Sequence, residues 1–198
     1  MKKQIIVIHG GDTFDTYEEA LQFIKDYQID FEKFSTDKEG WKKNLRKHLP
    51  EYQIIYLSMP NSLNAKFIEW KIWFEKFFPH LEDNVILLAH SLGGIFLTKY
   101  LSENKFPKEI KAVFLVAAVF DEDSGRNSLA SFTLPAKLEL QTDKIFLYHS
   151  KDDPIVPFSA LGKYQAHFPS AEVRVFEDRG HFNLEDFPEI VADIVSLK

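Results

Sequence analysis

The stretch VILLAHSLG at residues 85–93 bears on both the fold and the chemistry of this chain. Four apolar residues typical of a buried strand lead into Ser91, and a segment with helical character follows. A sharp strand-to-helix turn of this kind, a nucleophile elbow, exposes a serine hydroxyl to a base and to backbone N–H groups. The turn needs small residues two positions before and after the serine. Gly93 meets this requirement, whereas Ala89 replaces the usual glycine, and Ser91 could alternatively cap the following helix.

Length and composition narrow the class of protein. A chain of 198 residues fits one domain with a full core, and its formal charge of −6 argues against nucleic-acid binding. The absence of cysteine excludes disulfides and thiolate catalysis. The histidines and acidic residues lack metal-ligand spacing, so we expect no metal and no cofactor. The apolar run at residues 5–8 is too short for a signal peptide or a membrane span. We therefore expect a soluble cytoplasmic protein without membrane contact.

Short apolar runs alternate with segments of helical period along the chain. Most runs are continuously apolar, which is typical of parallel strands covered on both faces. Six strands with intervening helices predict a three-layer α/β sandwich around a mostly or wholly parallel sheet. The predicted strands are 4–8, 53–57, 85–88, 112–116, 144–149 and 173–176. The predicted helices are 41–49, 64–78, 92–103, 158–167 and 187–197.

The predicted strand ends bring a serine, an acid and a histidine to one edge of the sheet. In such sheets the ligand site lies beyond the carboxyl ends of the strands. Ser91 follows the third strand, Asp152 and Asp153 follow the fifth, and His181 follows the sixth. The chain order Ser, Asp, His is the order of the α/β-hydrolase triad.

The residue types predict a role for each of these side chains. Ser91 is expected to be the nucleophile and His181 the general base, because imidazole titrates near working pH. Asp153 is preferred over Asp152 as the acid that orients His181, since Pro154 restricts residue 153 to an extended backbone. Asp152 remains the alternative triad acid. If it does not have that role, it is expected to be a solvated turn residue.

An oxyanion hole and a pocket would complete the site. One N–H donor is predicted from Leu92 and a second from Gly11 or Asp12 in the loop after the first strand. The glycines of this loop could also form a simple turn, and the loop lacks the spacing of a nucleotide-binding site. His9 and His90 are expected to shape the site through hydrogen bonds rather than act as bases. Four residues are pocket candidates by position alone: Met59, Phe120, Phe158 and Phe182.

Several segments resemble the YdeN-type small serine hydrolases, the retinoblastoma-binding-protein serine hydrolase family within the α/β-hydrolase superfamily. These segments are AHSLG at 89–93, SKDDPIVPF at 150–158 and GHF at 180–182, supported by Trp41, the Met59-Pro60-Asn61 step and Trp70. The resemblance covers about residues 1–11 and 40–198. It implies a compact α/β-hydrolase fold without the two leading strands, and Ser91, Asp153 and His181 as the triad. It implies no particular substrate.

Residues 14–39 depart from the family pattern, in which the tryptophan helix follows the first loop almost at once. Thr16 and Glu19 have the form of a capping box, which predicts a helix start. Apolar residues then recur at helical spacing: Phe14, Tyr17, Leu21 and Ile24. The inserted helical segment begins beside the predicted oxyanion loop. It is therefore either a lid or pocket wall that sets acyl-group size, or a peripheral helix packed against the sheet edge.

Together these observations predict a hydrolase with a single domain over residues 1–198. The expected substrate is a small-molecule carboxylic ester or thioester, cleaved through an acyl-enzyme on Ser91. The alternative is a hydrolase-like scaffold that acts mainly as a binding protein with weak or vestigial activity.

Overall fold

A computed structural model describes residues 3–31, 40–121 and 129–197 of the chain. These described residues contain six strands: β1 Lys3–Ile8, β2 Tyr52–Leu57, β3 Val85–His90, β4 Ile110–Val116, β5 Ile145–Ser150 and β6 Glu172–Phe176. The helices are α1 Tyr17–Asp26, α2 Trp41–His48, α3 Phe67–Glu75, α4 Leu92–Glu103, α5 Ser159–His167 and α6 Pro188–Ser196. The strands form one sheet in the order β2-β1-β3-β4-β5-β6, and every pair is parallel. The predicted parallel α/β architecture is confirmed.

The core lies on both faces of this sheet. Successive side chains of a strand point to opposite faces, so each inner strand supplies both halves of the core. Ile6 and Leu87 belong to one apolar cluster with Trp70 of α3, whereas Val7 and Leu88 belong to a second cluster. All six residues of β3 and of β5 are buried. The continuously apolar runs in the sequence therefore reflect cover on both faces.

Close packing at the start of α4 depends on two glycines. A Cβ atom on Gly93 would lie 2.6 Å from the His9 carbonyl oxygen, and one on Gly94 would lie 2.4 Å from the Ala118 Cβ. The helix thus rests directly on the chain that follows β1 and β4. Ala89 is fully buried inside the sheet, where it pairs with Ile8 and Leu115. Its methyl group is accommodated there, so the departure from the usual glycine leaves the turn intact.

The inserted segment forms α1 in its first half, and residues 32–39 lie outside the described residues. The predicted capping box is confirmed: the Glu19 N–H donates to Thr16 Oγ1 at 3.2 Å, and the Thr16 N–H donates to Glu19 Oε2 at 3.0 Å. Ala20 is the one buried residue of this helix. Its packing is therefore shallow, and much of its apolar surface faces outward. Whether the segment is a lid or a peripheral helix stays a prediction.

Across residues 3–31, 40–121 and 129–197, no helix has both the length and the apolar character that crossing a bilayer would require.

Two glycine-to-alanine changes test the packing of α4. Gly94→Ala places a methyl group against Ala118 and is expected to lower Tm, because overpacking costs about 1–3 kcal/mol. Gly162→Ala lies within α5, where an added Cβ would meet nothing within 4 Å. It is expected to raise Tm, since alanine favours a helix over glycine by about 1 kcal/mol. Thermal unfolding followed by circular dichroism measures both, and shifts of the same sign would contradict this account of α4.

Candidate active site

Ser91 lies at a strained turn between β3 and α4. Its backbone has φ 58° and ψ −124°, outside the regions that non-glycine residues ordinarily adopt. The Ser91 N–H donates to the Val116 carbonyl at 3.0 Å, and the Ser91 carbonyl accepts from the Gly94 N–H at 2.9 Å and the Val119 N–H at 3.3 Å. Strain of this kind persists where surrounding contacts over-determine the backbone, as they do here. The strand, turn and helix have the arrangement of a nucleophile elbow.

Asp153 holds the imidazole of His181. The His181 Nδ1 atom lies 2.8 Å from Asp153 Oδ2 and 3.1 Å from Oδ1, and the carboxylate is fully buried. Oδ1 also accepts the N–H groups of Ile155 at 2.8 Å and Val156 at 3.0 Å. Burial alone would raise the pKa of Asp153, but His181 and these two N–H groups hold that pKa below its ordinary value. The acid is therefore ionised and fixed in direction.

Asp152 supports the loop that carries His181. Its Oδ1 accepts from the Ser150 hydroxyl at 2.5 Å and from the Gly180 N–H at 2.9 Å. The Ser150 oxygen in turn accepts the Arg179 N–H at 2.9 Å. The Ser150 and Gly180 bonds lower the pKa of Asp152. The two neighbouring acids thus have separate positions: Asp153 contacts the ring, and Asp152 ties β5 to the loop.

His90 lies behind the His181 ring. The ring centroids are 4.7 Å apart, and His90 Nε2 lies 3.0 Å from the His181 carbonyl oxygen. Since a carbonyl only accepts, Nε2 must carry the proton, and Nδ1 accepts from Lys42 Nζ at 3.3 Å. Burial, with smaller contributions from Lys42 and His181, keeps the pKa of His90 well below its ordinary value. His90 is a neutral structural partner, in line with the role inferred from its position.

His9 shapes the loop after β1. Its Nδ1 lies 2.5 Å from the Gly10 carbonyl oxygen, and its Nε2 accepts the Met59 N–H at 2.9 Å. Burial lowers the pKa of His9, so its neutral tautomer joins the loops that follow β1 and β2.

The same loop passes directly beside Ser91. A Cβ atom on Gly10 would lie 2.8 Å from Ser91 Cβ and 3.1 Å from Oγ, so only a glycine allows this approach. Leu92 is the first residue of α4, and the first N–H groups of a helix have no partner within it. The Asp12 N–H donates to the Ser62 carbonyl at 2.8 Å and is therefore engaged. Of the two predicted second donors, Asp12 is therefore bonded elsewhere through its N–H, and Gly11 stays the candidate.

The four pocket candidates occupy different environments. Phe182 is fully buried in the core, with its ring 5.2 Å from that of Phe187, so its assignment to a pocket wall is wrong. Its positive φ of 54° turns the chain inward immediately after His181. Met59 is also buried, and its backbone N–H serves His9.

The other two candidates are partly accessible. Phe158 is half-buried, with its ring 5.8 Å from that of His149. His149 is itself buried and donates from Nε2 to the Val156 carbonyl at 2.9 Å, beside the Asp153 carboxylate. Phe120 lines a cavity of about 520 Å³ together with Leu129, Leu134 and His167. Phe158 therefore reaches the Asp153 carboxylate through one intervening residue, His149.

Three residues around the site were missed by reasoning from sequence: Lys42, His149 and Ser150. The last two end β5 directly before the acid, so their position at the strand end was a usable signal. No sequence signal indicated Lys42, because its contact with His90 joins residues that are 48 positions apart in the chain. Within the described part of the chain, no group of three His, Cys, Asp or Glu side chains is placed to hold a metal ion.

Comparisons with known proteins identify the family of this chain. The family model described as serine hydrolase matches residues 33–189. The serine hydrolase RBBP9 of Rattus norvegicus is 26% identical over 163 residues, covering 80% of this chain and 84% of that protein. The hydrolase YdeN of Bacillus subtilis is 28% identical over 192 residues, covering 94% of this chain and 88% of YdeN.

Solved structures share the fold. The crystal structure of the ydeN gene product from B. subtilis superposes with a TM-score of 0.73 at 20% identity and covers 98% of both chains. A YdeN-like hydrolase from Pectobacterium atrosepticum gives a TM-score of 0.68 at 15% identity, covering 98% of this chain and 90% of that one. The family match over residues 33–189, most of the chain, shows that this protein belongs to the serine hydrolase family.

Proposed function

We propose that this protein cleaves small carboxylic esters or thioesters through an acyl-enzyme on a Ser91–His181–Asp153 triad. The observation that carries the proposal is the buried Asp153 carboxylate on His181 Nδ1, at the same sheet edge as the strained Ser91 turn. A buried acid that orients an imidazole, at the sheet edge that also carries an elbow serine, supports activation of the serine hydroxyl for acyl transfer.

The reaction follows in two steps. His181 Nε2 takes the Ser91 proton while Ser91 Oγ bonds to the ester carbonyl carbon. The tetrahedral intermediate collapses, the carbon–oxygen or carbon–sulfur bond breaks, and the departing alcohol or thiol receives the proton from His181. Water then attacks the acyl-enzyme by the same proton transfers, which releases the acid and restores Ser91. Asp153 stabilises the imidazolium that forms in each step.

Two backbone N–H groups would hold the negative oxygen of each intermediate. Leu92 contributes one from the start of α4, where the helix dipole also favours negative charge. Gly11 contributes the other, since its neighbour Gly10 lies against the Ser91 side chain. His9 supports this loop through its bonds to Gly10 and Met59.

The first test removes the nucleophile. Ser91→Ala is expected to abolish hydrolysis of p-nitrophenyl esters, because loss of the triad serine costs about a factor of 10⁶ in kcat. Labelling by a fluorophosphonate probe should disappear as well. Ser102→Ala, in α4 but bonded through Oγ to the Thr98 carbonyl, is the matched control and should label normally. Wild-type protein that folds but neither labels nor turns over would favour the binding-scaffold alternative.

The two neighbouring acids give a second test. Asp153→Asn is expected to lower kcat about 10³–10⁴-fold, because the amide cannot hold the required imidazole tautomer. Asp152→Asn should chiefly weaken the bond to the Gly180 N–H and lower Tm, with a much smaller loss of kcat. Steady-state kinetics and thermal unfolding of both variants separate these roles. Equal losses of kcat in two folded variants would count against Asp153 as the triad acid.

The inserted helix is proposed to bind the acyl group. A cleft of about 160 Å³ lies between α1 and the loop after β2, and aliphatic and aromatic side chains form its walls: Phe23, Ile24, Tyr27, Ile29 and Leu63. An apolar cavity of about 150 Å³ accepts benzene, so this cleft suits an acyl chain of about six carbons.

Hydrogen bonds connect the cleft to the oxyanion loop. The residues before Leu63 and after it are joined to that loop: the Asp12 N–H donates to Ser62 O at 2.8 Å, and Thr13 Oγ1 donates to Ala65 O at 2.8 Å. An acyl chain passing over Gly11 would therefore meet the cleft. This arrangement supports a pocket wall more than a peripheral helix, because α1 buries only Ala20.

A matched isoleucine pair tests the cleft. Ile24 in α1 and Ile72 in α3 are 52% and 53% exposed, so Asn at either position changes a comparable surface. Each buried methylene is worth about 0.8 kcal/mol, so kcat/KM should rise up to about fourfold per carbon toward hexanoate. Ile24→Asn should flatten this rise, whereas Ile72→Asn should preserve it. A wild-type-like chain-length profile in Ile24→Asn would exclude the cleft as the acyl site.

A further inference from the structure

Trp41, the first residue of α2, is buried against the loop that carries His181. Its indole Nε1–H donates to the Phe182 carbonyl at 2.8 Å. Its backbone N–H donates to the Leu184 carbonyl at 3.0 Å. The start of α2 therefore holds the chain directly after His181 through one side-chain and one backbone hydrogen bond.

A second side chain holds the neighbouring carbonyl of the same loop. His90 Nε2 donates to the His181 carbonyl at 3.0 Å, and the His90 and Trp41 rings meet edge to face with centroids 6.3 Å apart. Two consecutive carbonyl groups are thus bonded to two side chains that contact each other. Because His90 directly precedes Ser91, this pair fixes the backbone of the imidazole relative to the backbone of the elbow.

The backbone between these two carbonyl groups is strained. Phe182 has a φ of 54°, in the left-handed region that a bulky side chain rarely adopts. Such a conformation persists where the surrounding contacts over-determine it. The Phe182 ring packs against Phe187, and the Phe182 carbonyl has the Trp41 indole as its donor. Loss of that N–H would leave a buried carbonyl without its partner, so the turn would shift to regain one.

We propose that Trp41 is a positioning residue for the hydrolytic reaction: its indole N–H, bonded to the Phe182 carbonyl, sets the reach of His181 toward Ser91. The inference rests on the proposed function, in which His181 is the base for Ser91. A displacement of about 1 Å from the productive geometry costs about 10²-fold in rate, even when its cause lies away from the reacting groups. A small shift of this turn is therefore enough to slow the reaction.

A purely structural role for Trp41 predicts a different result. The Trp41 ring also packs in the core, with its centroid 5.2 Å from that of Phe187, so loss of the ring lowers stability in either case. A positioning role lowers kcat and leaves KM nearly unchanged, because the misplaced imidazole acts in the transition state rather than in substrate binding. A structural role lowers Tm and leaves kcat of the folded protein unchanged.

The test removes the indole N–H and keeps the shape of the ring. Replacement of Trp41 by benzothienylalanine puts sulfur in place of the N–H group, so packing is retained and the bond to Phe182 is lost. We expect kcat for p-nitrophenyl esters to fall about 10–100-fold, with KM changed by less than about twofold. Trp41→Phe should lose kcat by a similar factor and lower Tm further, because it also leaves a cavity beside Phe187. The same replacement at Trp73, an exposed ring on α3, controls for incorporation and should leave kcat unchanged.

Tyr100→Phe is the matched control for loss of a hydrogen bond from a buried aromatic ring. Tyr100 in α4 and Trp41 are each 1% exposed, and the Tyr100 hydroxyl donates to Glu75 Oε1 at 3.0 Å. This variant should lower Tm while kcat keeps its wild-type value. A folded benzothienylalanine protein whose kcat stays within about twofold of wild type overturns the proposal. Equal losses of kcat in the Trp41 and Tyr100 variants overturn it as well.

Hydrogen exchange separates this proposal from the proposed function. The Phe182 N–H donates to the Arg179 carbonyl at 3.0 Å across the turn that carries His181. Its exchange rate reports the order of that turn whether or not the protein hydrolyses an ester. Exchange should be about 3–10-fold faster in the benzothienylalanine protein and unchanged in Tyr100→Phe. An unchanged rate after replacement of Trp41 overturns the proposal, whereas failure of the wild-type protein to label with the fluorophosphonate probe contradicts the proposed function.

Discussion

The close approach of α4 to the ends of β1 and β4 is the constraint on which the site depends. Gly93 lets the helix rest on the His9 carbonyl, and Gly94 lets it rest on Ala118. With the helix in this place, the chain must turn within one residue, which forces Ser91 to a positive φ. Three hydrogen bonds to the Ser91 backbone then hold the turn. The backbone strain at Ser91 is thus a consequence of helix packing, and the same packing maintains the strained conformation.

The acid side of the site shows how neighbouring residues of one type acquire different roles. Asp153 points into the protein and is fixed by two backbone N–H groups and the imidazole. Asp152 is exposed and joins Ser150 to the Gly180 N–H. One acid orients the ring, and the other holds the loop from which the ring projects. The two acids are adjacent in the chain, yet the turn that follows β5 directs their side chains to different partners.

Sequence reasoning found most of the fold because the pattern depends on local and repeating features. Continuously apolar runs mark strands covered on both faces, and each predicted strand is present within a few residues of its expected bounds. The capping box at Thr16 and Glu19 was visible for the same reason, since its partners are three residues apart. The pocket assignments were less successful. Phe182 follows His181 at the correct sheet edge, yet a positive φ turns its ring into the core.

The sequence by itself determined the order of the strands along the chain, the elbow at Ser91, and the placement of Ser91, Asp153 and His181 at one sheet edge. These follow from periodicity and from the rule that parallel strands end together. Only the tertiary structure decided which N–H groups near Ser91 are already engaged, which aromatic rings are buried, and that Lys42 reaches His90. Each of these depends on contacts between residues far apart in the chain, whose distances no local pattern encodes. Lys42 shows this most clearly. In the sequence, Lys42 and Lys43 are two adjacent lysines with nothing to distinguish them. In the structure, Lys42 is half-buried against His90, whereas Lys43 is exposed.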